Sequence, residues 1–322
     1  YSLDKCTELT HLTFGFEFNQ PLDNSLFNCT LLTYIKFGYK FNCPLGYSLC
    51  NCLSLTHIVF GGLFNKDLGN SLNNCTSLTH IVFGHNYNCY LVDSLNNCTA
   101  LTHIVIGEGF NGPLANSLNK LLSLICIDLG CYFNQPLANS VNNCIALTHI
   151  KFSTHFNRSL ANSLDNCTSL THLTFGWYFN KPLANCLDNC LLLTHITFGD
   201  SFNQPIGNFL NNCTFLVHIG LGNHFSQQYQ YELPCKIKSL SLNLNNNYYI
   251  DYLQDTIEEI EFKCDFNLEL SNLPSSMKKI SFDFDGCLKD NMLIQLICKT
   301  FISSGHDVYI LTSRDPSLPN LD

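Results

Sequence analysis

Two kinds of side chain able to do chemistry recur in this sequence at one fixed step. Histidine stands at His11, His57, His80, His103, His149, His172, His195 and His218, with Tyr34 and Cys126 in the intervening places. Cysteine stands at Cys6, Cys29, Cys52, Cys75, Cys98, Cys144, Cys167, Cys190 and Cys213, with Leu121 in the sixth place. A row of imidazoles could form a binding stripe with pH-sensitive affinity, take up a transition metal adventitiously, or stack as a neutral ladder. A row of thiols could ligate zinc, form disulfides or pack as small apolar groups. A third candidate lies near the C-terminus. Asp283 and Asp285 end one apolar run and Thr312 ends another, so parallel strands would bring them to one crevice.

The thiol column reads as packing. Leu121 fills the same slot, no Cys-x-x-Cys pair has a matching second pair, and the total of 19 is odd. Unpaired thiols suit a reducing compartment, so the expected location is intracellular and cytoplasmic. Sugar-acceptor patterns at Asn28, Asn74, Asn97, Asn166 and Asn212 fall in the same turn, where a turn ladder is the better reading. The histidines differ. In Thr10-His11-Leu12-Thr13-Phe14 strand alternation sends Leu12 and Phe14 inward and His11 and Thr13 outward. Stacked imidazoles resist joint protonation because like charges lower one another's pKa. No carboxylate or thiolate completes a ligand set, and Tyr34 and Cys126 break any strict ligand selection. The stripe His57, His80, His103, His149, His172 and His195 is therefore the candidate binding face for a protein partner.

The elements that position these columns come from one repeat. Phe18-Asn19 returns as an aromatic-Asn pair 23 residues on, at Phe41, Phe64, Tyr87, Phe110, Phe133, Phe156, Phe179 and Phe202, with a worn copy at Phe225-Ser226. Leu9 through Leu216 keep the same step, and Leu or Ile follows three positions later. The rung reads LxxLxF-G-xx-FNxPLxxSLxxC, and its L-x-x-L-x-L core is that of leucine-rich repeats. A strand with one apolar face must bury it on its neighbours, so the rungs are expected to stack in parallel about 4.8 Å apart. The Asn19 column is expected to form a ladder to turn backbone. Gly15 and its counterparts are read as allowing the turn that leaves the strand. After residue 230 the step shortens to 20, at Ile237, Ile257 and Met277, and this stretch is more charged and could cap the stack.

The FNxPL signature after an LTxLxFG strand resembles the FNIP repeats of slime moulds and giant viruses, and the NCTSLT stretch resembles BspA-type leucine-rich repeats. The resemblance covers about residues 2–282 and implies protein interaction, sometimes beside an F-box, which is not visible here. Beyond Lys278 the chain reads differently. Lys278–Gly286 is an apolar strand ending in D-x-D-G, Asp290 or Asn291 can cap a helix over Leu293, Leu296, Ile297 and Phe301 that closes at Gly305, and Val308–Arg314 is a second strand. This expected βαβ unit resembles the first motifs of the haloacid-dehalogenase-like (HAD) phosphohydrolases. That resemblance implies Asp283 as nucleophile and Mg ligand, Asp285 as general acid/base and Thr312 as phosphoryl binder. The later lysine and acidic pair are missing, so this piece should not turn over.

The expected fold class is thus a β-rich leucine-rich-repeat solenoid followed by a partial α/β segment. Its divisions are 1–230 for the 23-residue rungs, 231–277 for the 20-residue rungs and 278–322 for the HAD-like segment. The primary expectation is a protein-interaction scaffold, with no cofactor for the repeats. A repeat-bearing Mg-dependent phosphohydrolase, inactive as it stands, and a structural surface-layer protein are the alternatives. Charged residues are only 13% of the chain and the net charge is −9, with no Lys/Arg cluster to track phosphates, which excludes nucleic acid as an expected partner. No apolar run approaches the ~20 residues that span a bilayer, and no small-molecule substrate is identifiable. The first residue, Tyr1, reads as a cut within a repeat, so the chain is expected to be a fragment.

Overall fold

The structure is a computed structural model that describes residues 3–91, 93–206, 209–226, 236–242, 253, 255–263, 273–283 and 307–311. Ten short strands recur at the repeat step: β1 (His11–Thr13), β2 (Tyr34–Lys36), β3 (His57–Val59), β4 (His80–Val82), β5 (His103–Val105), β6 (Cys126–Asp128), β7 (His149–Lys151), β8 (His172–Thr174), β9 (His195–Thr197) and β10 (His218–Leu221). Four more follow: β11 (Ser239–Leu242), β12 (Glu259–Phe262), β13 (Lys279–Asp283) and β14 (Asp307–Leu311). All fourteen form one parallel sheet in chain order, so each rung pairs only with its neighbours in sequence.

The middle residue of each three-residue strand, β1 to β9, faces the core. Ile35, Ile58, Ile81, Ile104 and Ile127 are buried, while the residues on either side are open to solvent in part. Two aromatic columns fill the interior behind them. Phe41, Phe64, Tyr87, Phe110 and Phe133 stack ring on ring at 5.9–6.1 Å, close to rung spacing. The Phe14, Phe37, Phe60 and Phe83 column leans on them at 4.2–4.4 Å.

Polar side chains close the turns between rungs. The Asn19 column is a ladder: Asn19 Oδ1 accepts from the backbone N–H of Asn42 at 2.8 Å, Asn42 from Asn65 at 2.9 Å, and the series runs unbroken to Ser226. The buried thiols are also bonded. Cys52, Cys75, Cys98, Cys144 and Cys167 each donate S–H to a turn carbonyl of the preceding rung at 3.4–3.8 Å. Burial raises their pKa, to about 12 for Cys52, Cys98, Cys144 and Cys167, so they are protonated packing groups and not nucleophiles. The glycine after each strand has a different reason from a turn. A Cβ on Gly61 would lie 1.9 Å from the Gly38 carbonyl oxygen, and one on Gly84 1.8 Å from that of Gly61. Backbone stacked on backbone leaves no room for a side chain at these rungs; the seventh rung carries Ser153 there, whose Oγ donates to the Phe133 carbonyl. Within the column Gly130 is left-handed, with a φ of 71°; the other left-handed residues, Asp23, Gly46, Gly69, Asp93, Ala115, Ala138, Ala161 and Ala184, fall elsewhere.

The trailing α/β segment is corrected. β13 takes the next rung position, Glu259 pairing with Lys279 and Phe262 with Phe282, and β14 pairs with it from Lys279–Asp307 to Asp283–Leu311. Both strands extend the solenoid sheet, and no helix occurs among the described residues. The physical reason is that Ile280 and Phe282 repeat the spacing of Ile260 and Phe262, so the growing sheet edge templates them as a further rung. The helix expected between residues 290 and 305 lies outside the described residues, as do Asp285 and Thr312.

Candidate functional site

The histidine stripe forms two stacks on the open face of the sheet. His57, His80 and His103 stand on β3, β4 and β5 with ring centroids 4.4 and 4.5 Å apart and planes within 8°. His149, His172 and His195 stand on β7, β8 and β9 at 4.3 and 4.4 Å with the same near-parallel planes. Cys126 on β6 separates the two stacks. All six residues of the candidate stripe are therefore placed on one face in register, as two triplets instead of one run.

A second column, which sequence reasoning passed over, sets their chemistry. Thr56 Oγ1 donates to the Thr33 carbonyl at 2.9 Å, Thr79 Oγ1 to Thr56 at 3.0 Å and Thr102 Oγ1 to Thr79 at 3.0 Å. Thr148, Thr171 and Thr194 bond the preceding rung in the same way at 3.0–3.2 Å. Each hydroxyl also lies 2.7–2.9 Å from Nδ1 of the histidine that follows it. A threonine hydroxyl has a single hydrogen, for which Nδ1 competes with a carbonyl that also accepts the backbone N–H groups of the threonine and the histidine. Where the carbonyl takes it, the contact to Nδ1 is an N–H donated by the imidazole. With the hydroxyl hydrogen on the carbonyl, all six neutral histidines take the Nδ1–H tautomer and leave Nε2 as a bare acceptor on the open face. In the sixth rung Ile125 and Cys126 replace threonine and histidine together.

His80, His172 and His195 also resist protonation. Burial, then the charges of His57 and His103, lower the pKa of His80. Burial, then His149 and His195, lower that of His172, and burial followed by His149 lowers that of His195. His218, at the end of the second stack, is pushed down to about 4, by burial first and then by His195. It lacks the threonine, since Val217 precedes it, and instead its Nδ1 is 3.0 Å from Ser239 Oγ.

The Mg-dependent phosphohydrolase reading is corrected. Asp283 is the last residue of a solenoid strand, and no group of three His, Cys, Asp or Glu side chains able to hold a metal ion occurs among the described residues. Adjacent imidazoles do not chelate either, because near-parallel rings more than 4 Å apart aim their Nε2 lone pairs side by side instead of at one point. No helix among the described residues is long and apolar enough to cross a membrane.

No curated protein matches the chain in sequence. Among solved structures, the chain is similar to CroV588, described as a novel circular LRR protein, at 32% identity over 89% of this chain and 44% of that one, with a TM-score of 0.67. It thus spans less than half the length of CroV588. An internalin from Listeria monocytogenes (inlF) aligns at 16% identity, covering 87% of this chain and 88% of its own, with a TM-score of 0.56. Toll from the Drosophila Toll–Spatzle complex aligns at 12% identity over 87% of this chain and 40% of that one, with a TM-score of 0.57. These two share the fold. The model of the BspA type leucine rich repeat region matches residues 1–124 and 137–254 in six copies, which is well over half of the sequence. The chain belongs to the BspA-type leucine-rich-repeat family.

Proposed function

We propose that this chain is a protein-binding scaffold whose partner docks along the histidine face. The observation that carries the reading is the pair of stacks, His57–His80–His103 and His149–His172–His195, which in the Nδ1–H tautomer line up bare Nε2 acceptors on an open strand face. A partner segment with N–H or O–H donors fits such a row. Val59, Val82 and Val105, beside the first stack on the same face, add apolar area without competing donors. Leucine-rich repeats of this build hold a protein in the Toll–Spatzle complex, which supports the reading by analogy of fold. As part of the proposal we keep the division at residue 230, where neutral columns give way to charged ones. We also propose an intracellular setting, supported by the column of protonated, unpaired thiols.

The test is to replace His80, His103 and His149 together by alanine and measure affinity for a partner identified by cross-linking to the native chain. Folding, read by circular dichroism, is expected to be retained and affinity to fall by at least about tenfold, a loss of about 1.4 kcal/mol. Unchanged affinity ends the proposal.

A further inference from the structure

Beside the histidine face, the loop that leaves each strand carries a second ladder that is incomplete. Tyr132 and His155 stack at 4.8 Å, and His155 and Tyr178 stand at 5.1 Å, all three on equivalent positions of successive rungs. Backbone bonds keep the loops in register. The N–H groups of Asn86, Gly109, Tyr132, His155 and Tyr178 donate to Gly62, His85, Glu108, Cys131 and Thr154 of the rung before, at 2.7–3.1 Å. Tyr132 and Tyr178 are about half exposed, and so is Trp177, the only tryptophan of the chain. These positions follow no repeat rule, so packing does not dictate them. Exposed Trp and Tyr at one place on a scaffold are the residue types that dominate binding hot spots.

The ladder stops at Gly109, one rung before Tyr132. A Cβ there would lie 2.8 Å from the His85 carbonyl oxygen, and glycine leaves the position bare. One face of Tyr132 is covered by His155, while the other looks along the column toward a place with no side chain. The gap is one rung deep, about 4.8 Å, close to the spacing of the rings beyond it. Glu108, the residue just before the gap, holds a carboxylate that is 64% exposed and 3.2 Å from His85 Nδ1.

We infer that this gap is a slot for an arginine side chain of a protein partner. A guanidinium is planar, stacks on an aromatic face and carries the charge that Glu108 and a chain of net charge −9 attract. Lysine has the charge but not the plane, and a neutral ring has the plane but not the charge. The slot lies off the histidine face and shares with the proposed function only the scaffold itself.

The experiment titrates the full chain with fluorescein-labelled hexa-arginine and hexa-lysine peptides at 0.15 M salt, read by fluorescence anisotropy. The arginine peptide is expected to bind about tenfold more tightly than the lysine peptide. Tyr132→Leu and Glu108→Gln are each expected to remove most of that difference. Glu17→Gln, which makes the same charge change several rungs away, is expected to leave it intact. Equal affinity for the two peptides, or a Tyr132→Leu variant that discriminates like the native chain, overturns the slot. The His80, His103 and His149 triple alanine variant is expected to keep the arginine preference, so failure here and failure of the histidine-face reading are told apart.

Discussion

The long rungs and the short rungs solve one problem in opposite ways. At the position of Thr56, Thr79 and Thr102 the short rungs carry Lys238, Glu258 and Lys278, and at the histidine position they carry Ser239, Glu259 and Lys279. Identical residues piled one rung apart are stable when neutral, because a hydroxyl or an imidazole can bond or stack with its own kind. Charged residues must alternate. Lys238 and Lys278 accordingly clamp Glu258 at 3.0 and 2.7 Å, and their hydrogen bonds, the Lys278 bond first, hold its pKa below the ordinary carboxylate value. The comparison teaches that the histidine column is tolerated because neutral rings can stack on their own kind, and that its chemistry belongs to the stack as a whole.

The contrast can be broken hardest at the glycine. Gly84→Ala drives a Cβ into the Gly61 carbonyl and is expected to cost about 3 kcal/mol by denaturant unfolding. At the equivalent place in the short rungs Lys263 already stands with its N–H bonded to Leu242, and Lys263→Ala is expected to be nearly neutral. Acid separates the two regions next. His80, His172, His195 and His218 have folded pKa values below the unfolded value of about 6.5. Their neutral form therefore stabilises the fold fully above that pH, and the contribution is lost as pH falls toward the value of about 4 held by His218. Thermal unfolding between pH 7 and 4 is expected to show that loss in the native chain and a smaller one in the triple alanine variant. A gain is expected from Tyr87→Phe, since the Tyr87 hydroxyl is buried with no hydrogen-bond partner among the described residues; removing it should add about 1 kcal/mol. The smallest effect is Ala138→Gly, which relieves a φ of 47° and should add about 0.5 kcal/mol to the melting free energy.

The rung was legible because every core position is repeated in register. Leu55, Ile58, Phe60 and Phe64 each predict their own column, and the Asn19 ladder follows from the same step. What a threonine does was not legible, since Thr79 Oγ1 has its acceptor 23 residues away and its second partner next door, and no single-rung pattern encodes that pair. The glycine column was visible but its reason was misread, because close approach between rungs leaves the same trace as a turn. Tyr132, His155 and Tyr178 were passed over for a third reason. They occupy the two places per rung that vary freely, where periodicity carries no information. The Asp283 motif misled in the opposite direction. Its three polar residues resembled a catalytic half-site, while the alternation of Ile280 and Phe282 beneath them already matched a strand of the stack.

The proton positions on the histidine face decide the account. Nitrogen-15 NMR of the imidazoles of His80, His103 and His172 above pH 7 should show Nδ1 protonated and Nε2 bare in all three, the reverse of the form free histidine favours. Protonated Nε2 in these residues would mean that the threonine hydroxyls do not hold them, and that the face offers donors where a row of acceptors is claimed.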